Sequence, residues 1–124
     1  MATLTINGKP EEASCEQELA ALRDSIELLG GKWKLIILRH LNNHRLEENT
    51  FKKMQRDILG ISAKMLSKEL YDLEMNLLVS RTVMNTKPAK VNYAITDYGL
   101  TVLPVNEILV QWGLNHRQKI KERC

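Results

Sequence analysis

Apolar positions recur along most of this chain at helical spacing and change to alternation in only two places. Residues 2–7 alternate weakly, Leu4 and Ile6 against Thr3 and Thr5, then meet Asn7-Gly8 and Pro10, which predicts a short strand or an arm. From Glu16 to Leu29, the residues Leu19, Leu22, Ile26 and Leu29 fall on one side of a helix that Gly30-Gly31 ends. A second helix is expected from about Lys32 to Leu41. Its stripe of Trp33, Ile36, Ile37 and Leu41 is widened by Leu35 and Leu38 until it is apolar nearly all round, as a central buried helix would be. Asn42-Asn43 closes it, and a polar loop runs through Asn49.

Thr50 is placed to cap a short third helix carrying Phe51, Met54 and Ile58, which Gly60 ends. Ser62 caps a fourth helix reaching about Asn76. The β-branched run Leu78 to Met84 and the alternating Val91 to Ile95 flank a turn-forming stretch, predicting a hairpin with a basic tip. Thr96 then caps a final helix from about Asp97 to Lys121, in which Pro104 marks a kink or an irregular turn. The expected fold is mainly α with a small β hairpin. Short helices packed together and followed by such a hairpin make a winged helix-turn-helix.

On a helical wheel, Leu66, Leu70, Leu73 and Leu77 of the fourth helix share a sector of roughly 60°. Lys64, Ser67, Lys68 and Tyr71 occupy a sector about 100° wide on the opposite side. A recognition helix needs this combination: an anchored back, and a front joining phosphate-seeking charge to hydrogen-bonding tips. Ser62 and the free N–H groups at the helix start also suit a phosphate. Any amphipathic surface helix would also carry lysines outward, so the wheel alone does not decide. Lys52, Lys53 and Arg56 on the preceding helix and Lys87 and Lys90 at the hairpin tip favour DNA, because a winged helix turns these regions to one side. Paired arginines that read guanine are missing, which leaves base reading to these four residues or to DNA shape.

Charge distribution strengthens that picture. The net charge is only +3, but residues 31–93 hold twelve basic and six acidic side chains, against two and six in residues 1–30. A basic middle fits a polyanionic partner, although a solvated basic face is the simpler alternative. At 124 residues, with 44% hydrophobic and 27% charged, the chain is expected to be one domain able to bury about two-thirds of its unfolded surface. No apolar run approaches a membrane span, and Glu11, Glu12, Glu16 and Glu18 stand where a secretory core would lie, so a cytoplasmic protein is expected.

Several stretches are together similar to the HxlR-type winged-helix transcriptional regulators of bacteria. They are Gly30-Gly31-Lys32-Trp33 through Leu41, Gly60-Ile61-Ser62 through Leu70, Leu73-Glu74, Leu78 to Arg81, Pro88, Tyr93 to Gly99, and Trp112. The resemblance covers roughly Cys15 to Gly113, in the family's order, and Cys15 stands where the family usually has a cysteine. It implies a homodimer joined through the terminal helices, with double-stranded DNA as partner and, in some members, a cysteine that senses electrophiles or oxidants. Two departures stand out: Asn76-Leu77 replaces the usual Asp-Gly before the hairpin, and no proline follows Cys15. On this reading residues 1–14 are an arm or short strand, 15–113 the winged-helix domain and 114–124 the tail of the last helix.

The remaining residues carry less. Val105, Ile108, Leu109 and Trp112 exceed what a small domain needs on its last helix, and are the expected dimer interface. Cys15 is either a sensor thiolate near a helix start or a small buried hydrophobe, and Cys124 could pair with it fortuitously. Trp33 and Trp112 read as packing residues, and Arg81 as a brace for the wing or a DNA contact. His40 and His44 are spaced i, i+4 as metal ligands can be. With no His-Glu-x-x-His motif and no third ligand nearby, ordinary polar roles are expected, and no metal or cofactor. No catalytic arrangement is visible, so an enzyme is not expected. The rival from another class is a winged helix serving as a protein-interaction module, its basic face docked on an acidic partner without sequence-specific DNA binding.

Overall fold

A computed structural model describes residues 2–123, without the side chain of Ile6. The chain divides into two compact units at Gly31–Lys32.

The first unit opens with a hairpin where a single strand or arm was expected. Strand β1 (Thr3–Ile6) pairs antiparallel with β2 (Lys9–Glu12), with Thr3 opposite Glu12. Asn7 and Gly8 both take positive φ, the geometry a two-residue hairpin turn demands. Sequence pattern missed β2 because Lys9-Pro10-Glu11-Glu12 is fully exposed and has no alternation to read. Helix α1 (Cys15–Leu29) follows with a capping box: Ser14 Oγ accepts from the Gln17 N–H, and Gln17 Oε1 accepts from the Ser14 N–H. No residue of α1 is buried, and Leu19, Leu22 and Ile26 are all exposed.

The second unit holds the core. Helix α2 (Lys34–Asn43) is its centre, as expected, with Ile37, Leu38 and Leu41 fully buried. Two positions depart from the predicted stripe: Ile36 is exposed, while Lys34 is buried. Helices α3 (Phe51–Asp57) and α4 (Ala63–Met75) begin at the expected caps, Thr50 accepting from Lys53 N–H and Ser62 from Met65 N–H. Met54, Leu66, Leu70 and Leu73 complete the core from these two helices. Strands β3 (Val79–Met84) and β4 (Lys90–Ile95) form the wing, in register from Val79 opposite Ile95 to Met84 opposite Lys90.

The predicted final helix is two helices. Thr96 caps α5 (Asp97–Leu100), and Thr101 and Val102 then form a turn before α6 (Leu103–Lys121). Pro104 sits in the first turn of α6, where its missing N–H costs nothing; the proline opens this helix and does not kink it. Asn106 fixes α6 to α2, its buried side-chain amide donating to the Leu35 carbonyl at 2.7 Å.

Leu77 was expected to extend the leucine back of α4 but is exposed and has φ +67°. The N–H of Leu78 reaches the Leu73 carbonyl and that of Leu77 reaches the Glu74 carbonyl, the hydrogen-bond pattern of a Schellman cap. Leucine therefore occupies the left-handed position that normally belongs to glycine. Replacing Leu77 by glycine should stabilise the fold by about 0.5–1 kcal/mol, since relief of the Cβ clash exceeds the added chain entropy. Urea denaturation of the two proteins checks this, and a destabilised variant would show that Leu77 has a packing role.

Candidate nucleic-acid interface

The α4 helix presents the front that its sequence predicts. Lys64, Ser67, Lys68 and Tyr71 are exposed, and Leu66, Leu70 and Leu73 behind them are at most 2% accessible. An anchored back of this kind holds the helix in one rotation, so the front residues project as a set.

A charge network that hydrophobic patterning overlooks also sets that rotation. Lys34 Nζ on α2 lies 2.7 Å from Glu69 Oε2 and 3.5 Å from Asp72 Oδ2 on α4. Lys34 and Glu69 are both nearly enclosed. Burial alone would push the Lys34 ammonium below its ordinary pKa, but its bonds and attraction to Glu69 and Asp72 outweigh that and hold it raised. Lys68 meets the same two carboxylates from outside, at 3.4 Å from Glu69 and 3.7 Å from Asp72. The available signals were a lysine inside an apolar run, and a glutamate between Leu66 and Leu70 on the buried flank of α4.

The wing is held to the helices at both sides of its base. Thr96, just after β4, donates through its hydroxyl to the Leu77 carbonyl at 2.6 Å and through its N–H to the Leu78 carbonyl at 3.1 Å. From the loop before α3, the buried Asn49 gives its N–H to Asn92 Oδ1 at 2.6 Å and accepts the Tyr93 N–H at 2.9 Å. Its side-chain amide also closes the loop onto the carbonyls of His44 and Glu47.

The basic residues fall into two groups. Lys52, Lys64 and Lys87 are exposed, and none of them makes an ion pair among the described residues. The others are already engaged: Lys53 with Glu47 at 2.9 Å and the Glu48 carbonyl, Arg56 with Asp57 at 3.2 Å, and Lys90 with Glu48 at 4.0 Å. Ser62 Oγ is occupied as the α4 cap. Lys87 stands in the 85–89 turn at the wing tip, and Arg81 is exposed on β3 opposite Tyr93.

Cys15 is the first residue of α1 and is exposed, which removes the reading of it as a small buried hydrophobe. Cys124 lies outside the described residues. Val105, Ile108, Leu109 and Trp112 are all exposed on α6, and Trp112 stacks on the His116 ring one turn away. The histidine pair corrects the sequence reading, because a third group does lie beside it: Asp57, at the end of α3. No helix among the described residues is long and apolar enough to cross a membrane.

Comparison with known proteins matches this architecture. The HxlR-like helix-turn-helix family model covers residues 28–121. The chain is 33% identical over 96 residues to the HTH-type transcriptional regulator YtcD of Bacillus subtilis (strain 168), spanning 77% of this chain and 74% of YtcD. The crystal structure of YtcD superposes with a TM-score of 0.72, covering 78% of this chain and 96% of that one. The redox regulator HypR in its reduced form superposes at 0.73 with 28% identity, covering 82% and 98% of the two chains. The reduced transcriptional regulator YodB from B. subtilis does so at 0.63 with 31% identity, covering 82% and 91%. The order of elements from α2 through the wing to α6, the face of α4 and these relatives agree, and the chain belongs to the HxlR-like helix-turn-helix family of transcriptional regulators.

Proposed function

We propose that this regulator is a homodimer that binds double-stranded DNA sequence-specifically, with α4 in the major groove. The observation that carries the reading is the front of α4, where two lysines, a hydroxyl and a phenol stand exposed over a fully buried leucine back. Lys64, Ser67, Lys68 and Tyr71 face the bases. Lys52 and Lys87 hold phosphates, joined by Lys53, Arg56 and Lys90 once a phosphate displaces their carboxylate partners. Ser62 opens the helix toward the backbone. The exposed Val105, Ile108, Leu109 and Trp112 supply an apolar face for a second copy related by a two-fold axis. An exposed Cys15 and the redox regulators among the relatives support a thiol response to oxidants.

Fluorescence anisotropy on a duplex from the gene's own upstream region and on a scrambled duplex, from about 50 to about 200 mM salt, tests the reading. The native duplex is expected to win by orders of magnitude and to hold at the higher salt. Lys87→Ala should weaken binding to both duplexes and flatten the salt slope by about one unit. Ser67→Ala or Tyr71→Phe should instead change which sequences are preferred, at about 1–3 kcal/mol per contact. Equal binding to both duplexes that vanishes with salt would favour an interaction module docked on an acidic protein. Sedimentation of the same samples reads the dimer, and diamide treatment of the parent and Cys15→Ser reads the thiol.

A further inference from the structure

We propose that His40, His44 and Asp57 bind one divalent transition-metal ion of the zinc class, fastening the end of α3 to the end of α2. Each residue offers a ligand atom, and the three atoms lie within 4.8 Å of one another. His40 Nε2 and Asp57 Oδ2 are 3.3 Å apart. That is close to the roughly 3.4 Å separating two ligands of a tetrahedral ion bound at about 2.0–2.1 Å. His44 lies one helical turn after His40, with its ring centroid 4.4 Å away. Binding requires the partly exposed His44 and Asp57 side chains to rotate until the set, now within 4.8 Å, reaches bonding distance.

Three further observations set this cluster apart from an ordinary polar contact. His44 Nδ1 is 2.7 Å from Glu47 Oε2, and because an ionised carboxylate only accepts, a neutral His44 ring carries its proton there and its lone pair on Nε2. Metal-binding histidines are oriented by an outer carboxylate in the same way. The His40 side chain is nine-tenths buried, and its Nδ1 has no hydrogen-bond partner among the described residues. In either neutral tautomer one ring nitrogen is poorly satisfied, so the ring is not settled by its present contacts; an ion on Nε2 would leave Nδ1 carrying the proton and would not itself supply that nitrogen's partner.

His40 and Asp57 line a groove of about 570 Å³ bounded by Trp33, Ile36 and Leu109, which gives the ion a path in and leaves room for water as the remaining ligand. Two imidazoles and a carboxylate favour zinc, cobalt or nickel over magnesium or calcium.

Cobalt(II) titrated into the chelator-stripped full chain, followed by its visible absorption and then displaced by zinc, tests the site. One equivalent is expected to bind at micromolar affinity or better. His44→Gln and Asp57→Asn should each weaken binding at least tenfold without altering the far-ultraviolet circular dichroism. Glu47→Gln, which leaves all three ligands in place, should weaken it by about tenfold through the lost orientation of His44. Absence of saturable binding in the parent would overturn the proposal. So would affinities unchanged in the His44 and Asp57 variants, or binding abolished by Cys15→Ser.

Discussion

Replacement of Lys34 by alanine should destabilise the fold by about 3 kcal/mol, because it strands the Glu69 carboxylate in a largely enclosed site. Among the described residues Glu69 would keep Lys68, at 3.4 Å and on the exposed side. Removing the whole pair should be milder: Lys34→Met combined with Glu69→Leu fills the space with apolar groups and should recover most of the loss. Urea unfolding of the parent, Lys34→Met, Glu69→Leu and the double variant, followed by tryptophan fluorescence, gives the coupling directly. A Lys34→Ala cost below about 0.5 kcal/mol would place the pair among surface ion pairs that contribute little. The pH dependence has a definite sign. The Lys34 ammonium is held above its ordinary 10.5 in the folded chain, so its contribution is full below that pH and fades as Lys34 deprotonates at still higher pH.

Gly99→Ala should cost a similar amount, about 3 kcal/mol or on the order of 10 °C in Tm. A Cβ at Gly99 would run into the Leu78 carbonyl oxygen and stand 2.7 Å from Ile95 Cγ1. The carbonyl cannot retreat freely, because it already accepts the Thr96 N–H at 3.1 Å. The same substitution at Gly113 meets nothing within 4 Å inside α6 and should stabilise by about 0.5–1 kcal/mol through helix propensity. Opposite signs for the two variants in thermal melts would separate close approach from backbone freedom. Equal effects would contradict the packing described at the α4–wing–α5 junction.

Much of this architecture is legible in the sequence where one side of an element is apolar and its ends carry caps. Thr50, Ser62 and Thr96 open helices where hydroxyl spacing predicts, and the alternation of Val91 to Ile95 is the second wing strand. The front of α4 follows from the same periodicity. Sequence pattern fails where a contact joins residues far apart in the chain. Lys34 with Glu69, Asn49 with Asn92, and His40 with Asp57 are pairings that only folding creates. It fails also where backbone geometry overrides residue type, as at Leu77, or where a strand has no apolar side, as in β2.

The double attachment of the wing has a consequence for reach. Asn49 holds β4 on one side and Thr96 ties its end to the close of α4 on the other, while β3 and β4 stay paired from Val79–Ile95 out to Met84–Lys90. Six paired residues span about 20 Å at strand rise. The tip is therefore carried on a stiff arm of set length. Lys87 can adapt through the few residues of its own turn, but the interval between it and the front of α4 is built in. A surface gripped at both points would have to match that interval or bend to it.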